Sequence, residues 1–315
     1  MDSQSSDIEC RDLVKAFGDI VAVDHLSFSV RRGEIFGLVG PDGAGKTTTM
    51  RMLAGILPPD GGGATVAGYD VVANPEAVKS WISYMPQRFG LYEDLTVDEN
   101  IRFYADLFGV TRKARDERAL PLLAACGMSS FRPRLAGNLS GGMKQKLGLV
   151  CALIHTPRVL LLDEPTNGVD PVSRREFWGM LYALLDQGVT ILNSTAYLDE
   201  AERCNRLALL NKGRLLLCDE PERLKAMMPG AVLSIVSGEA RHLRDELQRA
   251  PGVSGTVLVG DAIHVFVDDG PQRLAEITRR LEAAGIGYQE ANQVPPSIED
   301  LFVSATTTTT DLEAA

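Results

Sequence analysis

The sequence lacks the apolar runs that a membrane-spanning helix requires. No stretch approaches the ~18–20 consecutive apolar residues needed to cross a bilayer, although 45% of the 315 residues are hydrophobic. The first segment, Met1–Asp7, is polar and acidic and has neither the basic nor the apolar region of a signal peptide. We therefore expect a globular chain without a secretory leader, so that any membrane spans must come from another chain.

Runs of basic residues, paired cysteines and clustered histidines are also missing. The net charge is −10 and the acidic residues are spread along the chain, so no segment has the positive footprint of a nucleic-acid-binding protein. The four histidines show no ligand spacing, and no C-x-x-C pair occurs. We expect no nucleic-acid partner and reduced thiols in a cytosol at Cys10, Cys126, Cys151, Cys204 and Cys218.

The chain does contain a phosphate-binding loop. Gly40–Thr48 is Gly-Pro-Asp-Gly-Ala-Gly-Lys-Thr-Thr and fits the pattern G-x-x-x-x-G-K-[ST]. A strand-like run, Glu34–Val39, precedes it and a helix-like run, Thr47–Leu57, follows it. The glycines allow the backbone to close on a ligand, so the loop amides can point at phosphate oxygens. In this pattern Lys46 reaches the β- and γ-phosphates and Thr47 binds Mg²⁺.

Two carboxylates follow a second strand. Val159–Leu162 is a continuous apolar run, typical of a buried parallel strand, and it ends in Asp163 and Glu164. Carboxylates at such a strand end lie beside the phosphate site in α/β folds. Asp163 suits the Mg²⁺ shell and Glu164 suits activation of an attacking water. The alternative is a pair of solvated acids after a strand.

A second glycine-rich segment predicts another helix start. Leu139–Gln145 is Leu-Ser-Gly-Gly-Met-Lys-Gln, with Ser140 as N-cap of a helix over Met143–His155. A helix that begins with Ser-Gly-Gly offers bare amides to an anion. An ordinary capped helix is the alternative.

These elements together resemble a known family. Gly40–Thr48, Gln87, Leu139–Gln145 and Val159–Glu164 occur in the order found in the ATP-binding subunit of ABC transporters, and the resemblance covers about Ile8–Leu224. It implies an α/β fold, the P-loop ABC ATPase, with a RecA-like core and antiparallel β and helical subdomains. Within the family the chain resembles the ABC-2 multidrug-export group, and there the first ATPase half of tandem exporters.

The resemblance also implies cofactors, partners and residue roles. ATP and Mg²⁺ are the implied cofactors, and an integral-membrane permease and a second ATP-binding subunit are the implied partners, on the inner face of the cell membrane. Phe17 is implied to stack on adenine, although its spacing equally allows a core aromatic. The implied catalytic residues are Glu164, Gln87 and Lys46, and the implied metal ligands are Thr47, Gln87 and Asp163. The implied ATP-binding residues are Phe17, Gly40, Pro41, Asp42, Gly43, Ala44, Gly45, Lys46, Thr47, Thr48, Ser140, Gly141, Gly142 and Asp170.

Ser140–Gly142 would face ATP bound on the opposite subunit, so the implied dimer is head-to-tail. One position departs from the family pattern. Ser194-Thr195 is followed by Ala196, where the family has a histidine that contacts the γ-phosphate. Alanine has no donor, and losing one such polar group costs roughly 10²–10³ in rate. We favour an asymmetric pair, in which this chain completes a competent site on a histidine-bearing partner; compensation by Tyr197 or another group is the alternative.

The sequence predicts three regions: an ABC ATP-binding domain over 1–228, a ferredoxin-like domain over 229–304 and a disordered tail over 305–315. Strand and helix patterns after Pro229–Gly230 follow the order βαββαβ, and we expect a packing or dimerisation module there. The tract Thr306–Thr310 favours disorder. In the first domain, Gly61–Gly63 predicts a turn, and Thr96 with Glu99 predicts a capping box.

Two other functions remain possible for these motifs. A regulator that uses ATP-dependent dimerisation without transport usually has two ATPase halves or a long coiled coil, and this chain has one phosphate loop and no heptad run. A nucleotide kinase would lack Leu139–Gln145. An exporter subunit also needs a groove for a permease helix, with Phe89, Leu91 and Tyr92 as possible walls, or as local packing instead.

Overall fold

The computed structural model describes residues 5–88, 90–238, 240–248 and 250–313. Backbone contacts divide the chain into two units, the first ending at Cys218 and the second beginning at Asp219. No helix in these ranges combines the length and the apolarity that crossing a bilayer requires. The predicted groove residue Phe89 and the terminal Ala314 and Ala315 lie outside the described residues.

The first unit contains ten strands and seven α-helices among its described residues. The strands are β1 (Ser6–Phe17), β2 (Ile20–Arg31), β3 (Ile35–Val39), β4 (Gly61–Val66), β5 (Tyr69–Asp70), β6 (Ile82–Met85), β7 (Val159–Asp163), β8 (Thr190–Thr195), β9 (Arg206–Asn211) and β10 (Arg214–Asp219). The helices are α1 (Lys46–Leu53), α2 (Pro75–Trp81), α3 (Val97–Leu107), α4 (Arg112–Ala125), α5 (Gly141–Leu153), α6 (Pro171–Leu185) and α7 (Leu198–Ala201).

One sheet has the order β2-β1-β4-β5, with antiparallel pairing throughout. The prediction of a turn at Gly61–Gly63 is wrong, because these glycines begin strand β4. The reason is a bulge in β1 at Asp12, which has φ 54°. A Cβ on Gly62 would lie 2.1 Å from the Asp12 carbonyl oxygen, so only glycine permits this approach of the two strands.

The second sheet has the order β10-β9-β3-β8-β7-β6, and β9, β3, β8, β7 and β6 pair in parallel. Every residue of β3, β7 and β8 is buried, as the continuous apolar runs predict. The carboxyl ends of β3, β7 and β8 meet at one edge of the sheet, where ligands bind in open α/β folds. This edge brings together the loops after Val39, Asp163 and Thr195.

Helices α3, α4 and α5 form the helical part of the first unit. The predicted capping box is confirmed at the start of α3: the Thr96 hydroxyl accepts from the Glu99 N–H at 3.2 Å, and the Thr96 N–H donates to the Glu99 carboxylate at 2.8 Å. Helix α5 is buried along most of its length and packs against α3 and β6.

Between two flanking helices, the second unit has the predicted order βαββαβ. Its elements are α8 (Pro221–Lys225), β11 (Ala231–Val236), α9 (Ala240–Leu247), β12 (Val253–Val259), β13 (Ala262–Val267), α10 (Gly270–Ala283), β14 (Glu290–Val294) and α11 (Ile298–Glu313). The antiparallel sheet has the order β12-β13-β11-β14. Leu243, Leu247, Ile277 and Leu281 are buried under it, so each main helix presents one apolar face to the sheet.

The end of the chain differs from its predicted disorder. Helix α11 extends to Glu313 and includes Thr306–Thr310. The Thr306 hydroxyl donates to the carbonyl oxygen of Phe302 at 2.9 Å, a bond to the preceding turn that threonine side chains form within helices. The start of α11 is fixed by a second capping box between Ser297 and Asp300.

Candidate functional site

The predicted phosphate loop connects β3 to α1. Gly43 and Gly45 have φ 78° and 95°, which lie in the left-handed region that glycine adopts without strain. The Lys46 side chain is 4% exposed, and its ammonium donates to the carbonyl oxygens of Gly40 at 2.7 Å and Pro41 at 3.0 Å. The loop therefore folds around its own lysine and places that cation at the N-terminus of α1, where an anion is favoured.

Glu164 lies directly beside this lysine. Its Oε1 is 3.1 Å from Lys46 Nζ, and its Oε2 accepts from Gln87 Nε2 at 3.1 Å and from Asn167 Nδ2 at 3.3 Å. Its backbone has φ 50°, an uncommon conformation for a residue with a side chain. The Glu164 N–H donates to the Ser194 carbonyl oxygen at 3.1 Å, which holds the turn in place.

Asp163 is 1% exposed and accepts three side-chain hydrogen bonds. They come from Thr47 Oγ1 at 3.1 Å, Ser194 Oγ at 2.7 Å and the Tyr84 hydroxyl at 3.2 Å. Burial is the main cause that raises the pKa of Tyr84 to about 12, and the negative charge of Asp163 is the second. This hydroxyl therefore remains a neutral donor. One carboxylate thus faces the threonine of the phosphate loop.

A cavity of about 670 Å³ opens over the phosphate loop. Its volume is within the range of small-molecule sites. The side chain of Phe17 is 51% exposed at the end of β1 and does not line this cavity, whereas Ile20, three residues later, does. The lining residues are Ile20, Val21, Ala22, Asp42, Gly43, Ala44, Gly45, Lys46, Thr47, Thr48, Gln87, Glu164 and Lys212.

The Ser-Gly-Gly segment does not line this cavity. Ser140 is the N-cap of α5, as predicted, and its hydroxyl accepts from the Met143 N–H at 3.3 Å. A Cβ on Gly142 would lie 2.4 Å from the hydroxyl oxygen of Ser173, in the first turn of α6. Asp170 caps the N-terminus of α6. The hydrogen bonds that its carboxyl accepts, above all the one from the Ser173 N–H, lower its pKa. Ser140, Gly141, Gly142 and Asp170 therefore lie in one patch of this unit, outside the cavity.

A smaller cavity of about 220 Å³ adjoins Ala196. Its wall includes both Glu164 and Tyr197, so the space next to the alanine lies within the candidate site. Its full lining consists of Asp42, Glu164, Thr166, Asn167, Thr195, Ala196 and Tyr197.

Three contacts of the site were not predicted from the sequence. Ser194 and Tyr84 donate to Asp163, and Asn167 donates to Glu164. The parallel pairing of Asp163 with Ser194 explains the first contact, because it places the two side chains next to each other at the sheet edge. Ser194, a polar residue at the end of the neighbouring buried strand, was the sequence feature from which this contact could have been predicted.

Comparison with known proteins identifies the family. The family model described as ABC transporter matches residues 23–167. “Probable multidrug ABC transporter ATP-binding protein YbhF” of Escherichia coli (strain K12) is 47% identical over 288 residues, which cover 90% of this chain and 49% of that protein. The chain thus spans about half the length of this relative.

Two further comparisons extend over nearly the whole of the matched protein. Nod factor export ATP-binding protein I of Burkholderia pseudomallei (strain 1710b) is 38% identical over 301 residues, covering 95% of this chain and 96% of the relative. A solved ATP-binding subunit of an ABC transporter matches with a TM-score of 0.64 and 30% identity, over 70% of this chain and 92% of that one. With its phosphate loop, paired carboxylates and Ser-Gly-Gly helix in one unit, the chain belongs to the ATP-binding proteins of the ABC transporter family.

Proposed function

We propose that this chain hydrolyses ATP to power an ABC-2 type membrane exporter of a drug or another small molecule. The observation that carries the proposal is the convergence of Lys46, Thr47, Asp163 and Glu164 at one end of the parallel sheet. The names of the relatives from Escherichia coli and Burkholderia pseudomallei, which refer to multidrug transport and Nod factor export, support the direction of transport.

The loop Gly40–Thr48 would bind the phosphates of ATP. Its amides and the ammonium of Lys46 supply donors and positive charge, and the cavity above them has room for the rest of the nucleotide. Ile20 to Ala22 line this cavity. Phe17, half exposed at the end of β1 and outside that lining, would stack on adenine. Glu164, oriented by Gln87, would accept a proton from the attacking water.

Thr47, Asp163 and Gln87 would hold Mg²⁺. Mg²⁺ prefers oxygen ligands and is usually bound by one or two carboxylates together with substrate phosphates. The oxygen ligands here fit this preference, because one carboxylate oxygen of Asp163 lies 3.1 Å from the Thr47 hydroxyl. In the part of the chain that the structure describes, no group of three or more His, Cys, Asp or Glu side chains is arranged to hold a metal alone. Bound Mg²⁺ would neutralise charge on the β- and γ-phosphates.

The patch formed by Ser140, Gly141, Gly142 and Asp170 would face ATP on a second subunit. It lies outside the cavity of its own chain, and Gly141 has open space where a side chain would be among the described residues. A head-to-tail dimer places such a patch opposite the phosphate loop of its partner. Because Ala196 lacks a donor, we propose an asymmetric pair with a partner that has histidine at the matching position.

A membrane permease would dock on an apolar groove beside the helical part. The groove has a volume of about 340 Å³ and is bordered by Ile56, Leu107 and Phe108. Their exposed fractions are 58%, 64% and 42%, which is high for large apolar side chains. Of the walls considered from the sequence, Leu91 packs into the core and Tyr92 contacts Phe103, so neither borders this groove. The chain would then work on the cytoplasmic face of the cell membrane.

Association with membranes separates the exporter from a regulator without transport. The chain is produced in its source cells, membranes are isolated, and membrane-bound chain is quantified with and without a detergent that extracts integral proteins. Recovery of the chain with a small integral protein supports the exporter. Recovery only in the soluble fraction, with ATP hydrolysis intact, would contradict it in favour of the regulator.

A further inference from the structure

We propose that Tyr197 is a positioning residue that orients Glu164 through Asn167 and so partly replaces the donor missing at Ala196. The inference rests on the proposed function, since it concerns hydrolysis at the same site. It explains why the site keeps both carboxylates, Asp163 and Glu164, although position 196 has no polar side chain.

Tyr197 is held in place through its backbone and through its ring. Its N–H donates to Thr195 Oγ1 at 3.0 Å, which fixes the backbone after β8. The guanidinium carbon of Arg174 lies 4.2 Å from the ring centroid, a cation–π contact. Arg174 is itself 3.4 Å from the buried carboxylate of Glu200, which accepts a hydrogen bond from Thr166 at 2.7 Å. The ring is thus supported by a charged network rather than by solvent.

A chain of hydrogen bonds connects this ring to Glu164. The Tyr197 hydroxyl donates to Asn167 Oδ1 at 3.4 Å, and Asn167 Nδ2 donates to Glu164 Oε2 at 3.3 Å. The orientation of the amide is determined by chemistry, because an ionised carboxylate only accepts hydrogen bonds. The Asn167 amide nitrogen must therefore face Glu164, which leaves its oxygen for the tyrosine hydroxyl.

These contacts affect the orientation of Glu164 at the small cavity next to Ala196. It is bounded by Glu164, Asn167 and Tyr197, and the alanine methyl group supplies no donor to it. Without Asn167, one oxygen of Glu164 would keep only the bond from Gln87 at 3.1 Å. Since proton transfer requires a base within hydrogen-bond reach and in the right direction, a Glu164 carboxylate that has lost one of its orienting bonds would act less often.

Steady-state hydrolysis of Mg-ATP by the purified chain tests the inference. Tyr197→Phe removes the hydroxyl and keeps the ring on Arg174. We expect kcat to fall about tenfold with KM changed less than twofold, the effect of one hydrogen bond on the reaction step. In an Asn167→Ala background the same change should alter kcat less than twofold, because the path to Glu164 is already broken. Ala196→His in the Tyr197→Phe chain should restore kcat.

Tyr182→Phe is the matched control. The Tyr182 hydroxyl donates to the carbonyl oxygen of Arg203 at 3.3 Å, away from both cavities, so its loss should leave kcat unchanged. The inference would be overturned if Tyr197→Phe had the same kcat as wild type, or if Tyr197→Phe and Tyr182→Phe lost kcat equally. Absence of wild-type turnover would also overturn it. Loss of turnover in Glu164→Gln alongside an unaffected Tyr197→Phe would leave the proposed function standing. Turnover that survives Glu164→Gln would instead contradict the proposed function.

Discussion

Glu164 Oε1 and Lys46 Nζ lie 3.1 Å apart, so the carboxylate proposed to activate water is paired with the cation proposed to bind phosphate. Both side chains are largely shielded from solvent, at 11% and 4% exposure. A γ-phosphate bound by Lys46 would compete with Glu164 for this ammonium. ATP binding would thereby release one oxygen of Glu164, while Gln87 and Asn167 keep the other in place.

This competition predicts the effect of Glu164→Gln on ATP affinity. Removing the negative charge leaves Lys46 available to phosphate, so we expect ATP to bind at least as tightly as to wild type. Lys46→Ala should weaken binding by tenfold or more, because a charge-assisted contact to phosphate is lost. Equilibrium titration with a fluorescent ATP analogue measures both. Glu76→Gln, which breaks an exposed pair with Lys79, serves as the control, and weaker binding by Glu164→Gln than by this control would contradict the account.

Asp163→Asn should raise the Mg²⁺ requirement of hydrolysis. The substitution removes the buried carboxylate that faces Thr47, and neutral amide oxygen is a weaker ligand for this hard cation. We expect the Mg²⁺ concentration for half-maximal activity to rise tenfold or more. Ser194→Ala removes one donor to Asp163 and should have a smaller effect. An unchanged Mg²⁺ titration in Asp163→Asn would rule out this metal site.

Leu107→Lys should detach the chain from its membrane partner without lowering ATP hydrolysis in the purified chain. Leu107 is 64% exposed at the edge of the apolar groove, where a charge would oppose docking of an apolar helix. It ends helix α3, a position at which a cation is tolerated. Leu120→Lys, which changes a 53% exposed leucine of α4 outside the groove, is the matched control. Membrane recovery of Leu107→Lys equal to that of Leu120→Lys would place the docking surface elsewhere.

Acid should destabilise the second unit through Asp300. Burial raises the pKa of this carboxyl, but hydrogen bonds with His264 and Ser297 outweigh it and lower the pKa below its ordinary value of 3.8. A lowered folded-state pKa gives stability that is present above the unfolded value and is lost as pH falls through the folded one. Asp300→Asn should cost about 1–2 kcal/mol at neutral pH, because the ionised acceptor of the bonds from His264 and Ser297 is lost.

Urea titrations between pH 3 and pH 7 measure this effect. We expect the free energy of unfolding of the variant to fall less steeply below about pH 4 than that of wild type. Asp261→Asn changes an exposed carboxylate in the turn between β12 and β13 and should leave the pH dependence as in wild type. Parallel curves for wild type and Asp300→Asn would contradict the assignment.

Local patterns predicted much of the fold and the centre of the site. The phosphate loop, the buried strands and the Thr96 capping box are encoded in a few consecutive residues, and the structure contains each of them. Gly61–Gly63 was misassigned because the glycines serve a close approach to β1, which depends on a bulge about 50 residues upstream.

Contacts between distant residues could not be predicted in the same way. Tyr84 and Ser194 reach Asp163 from strands on either side of β7, at separations of 79 and 31 residues. Their contact depends on strand order and register, which a single sequence does not specify. The hydrogen bonds from Tyr197 to Asn167 and from Asn167 to Glu164 also depend on the geometry of the turns that follow β7 and β8.

Steady-state ATP hydrolysis by wild type, Ala196→His and Glu164→Gln tests the central claim most directly. The account predicts slow wild-type turnover, a rise of tenfold or more with Ala196→His as a donor is restored, and loss of turnover in Glu164→Gln. That result would direct the search to a histidine-bearing partner subunit. Brisk wild-type turnover that Ala196→His leaves unchanged would contradict the account and favour a symmetric homodimer.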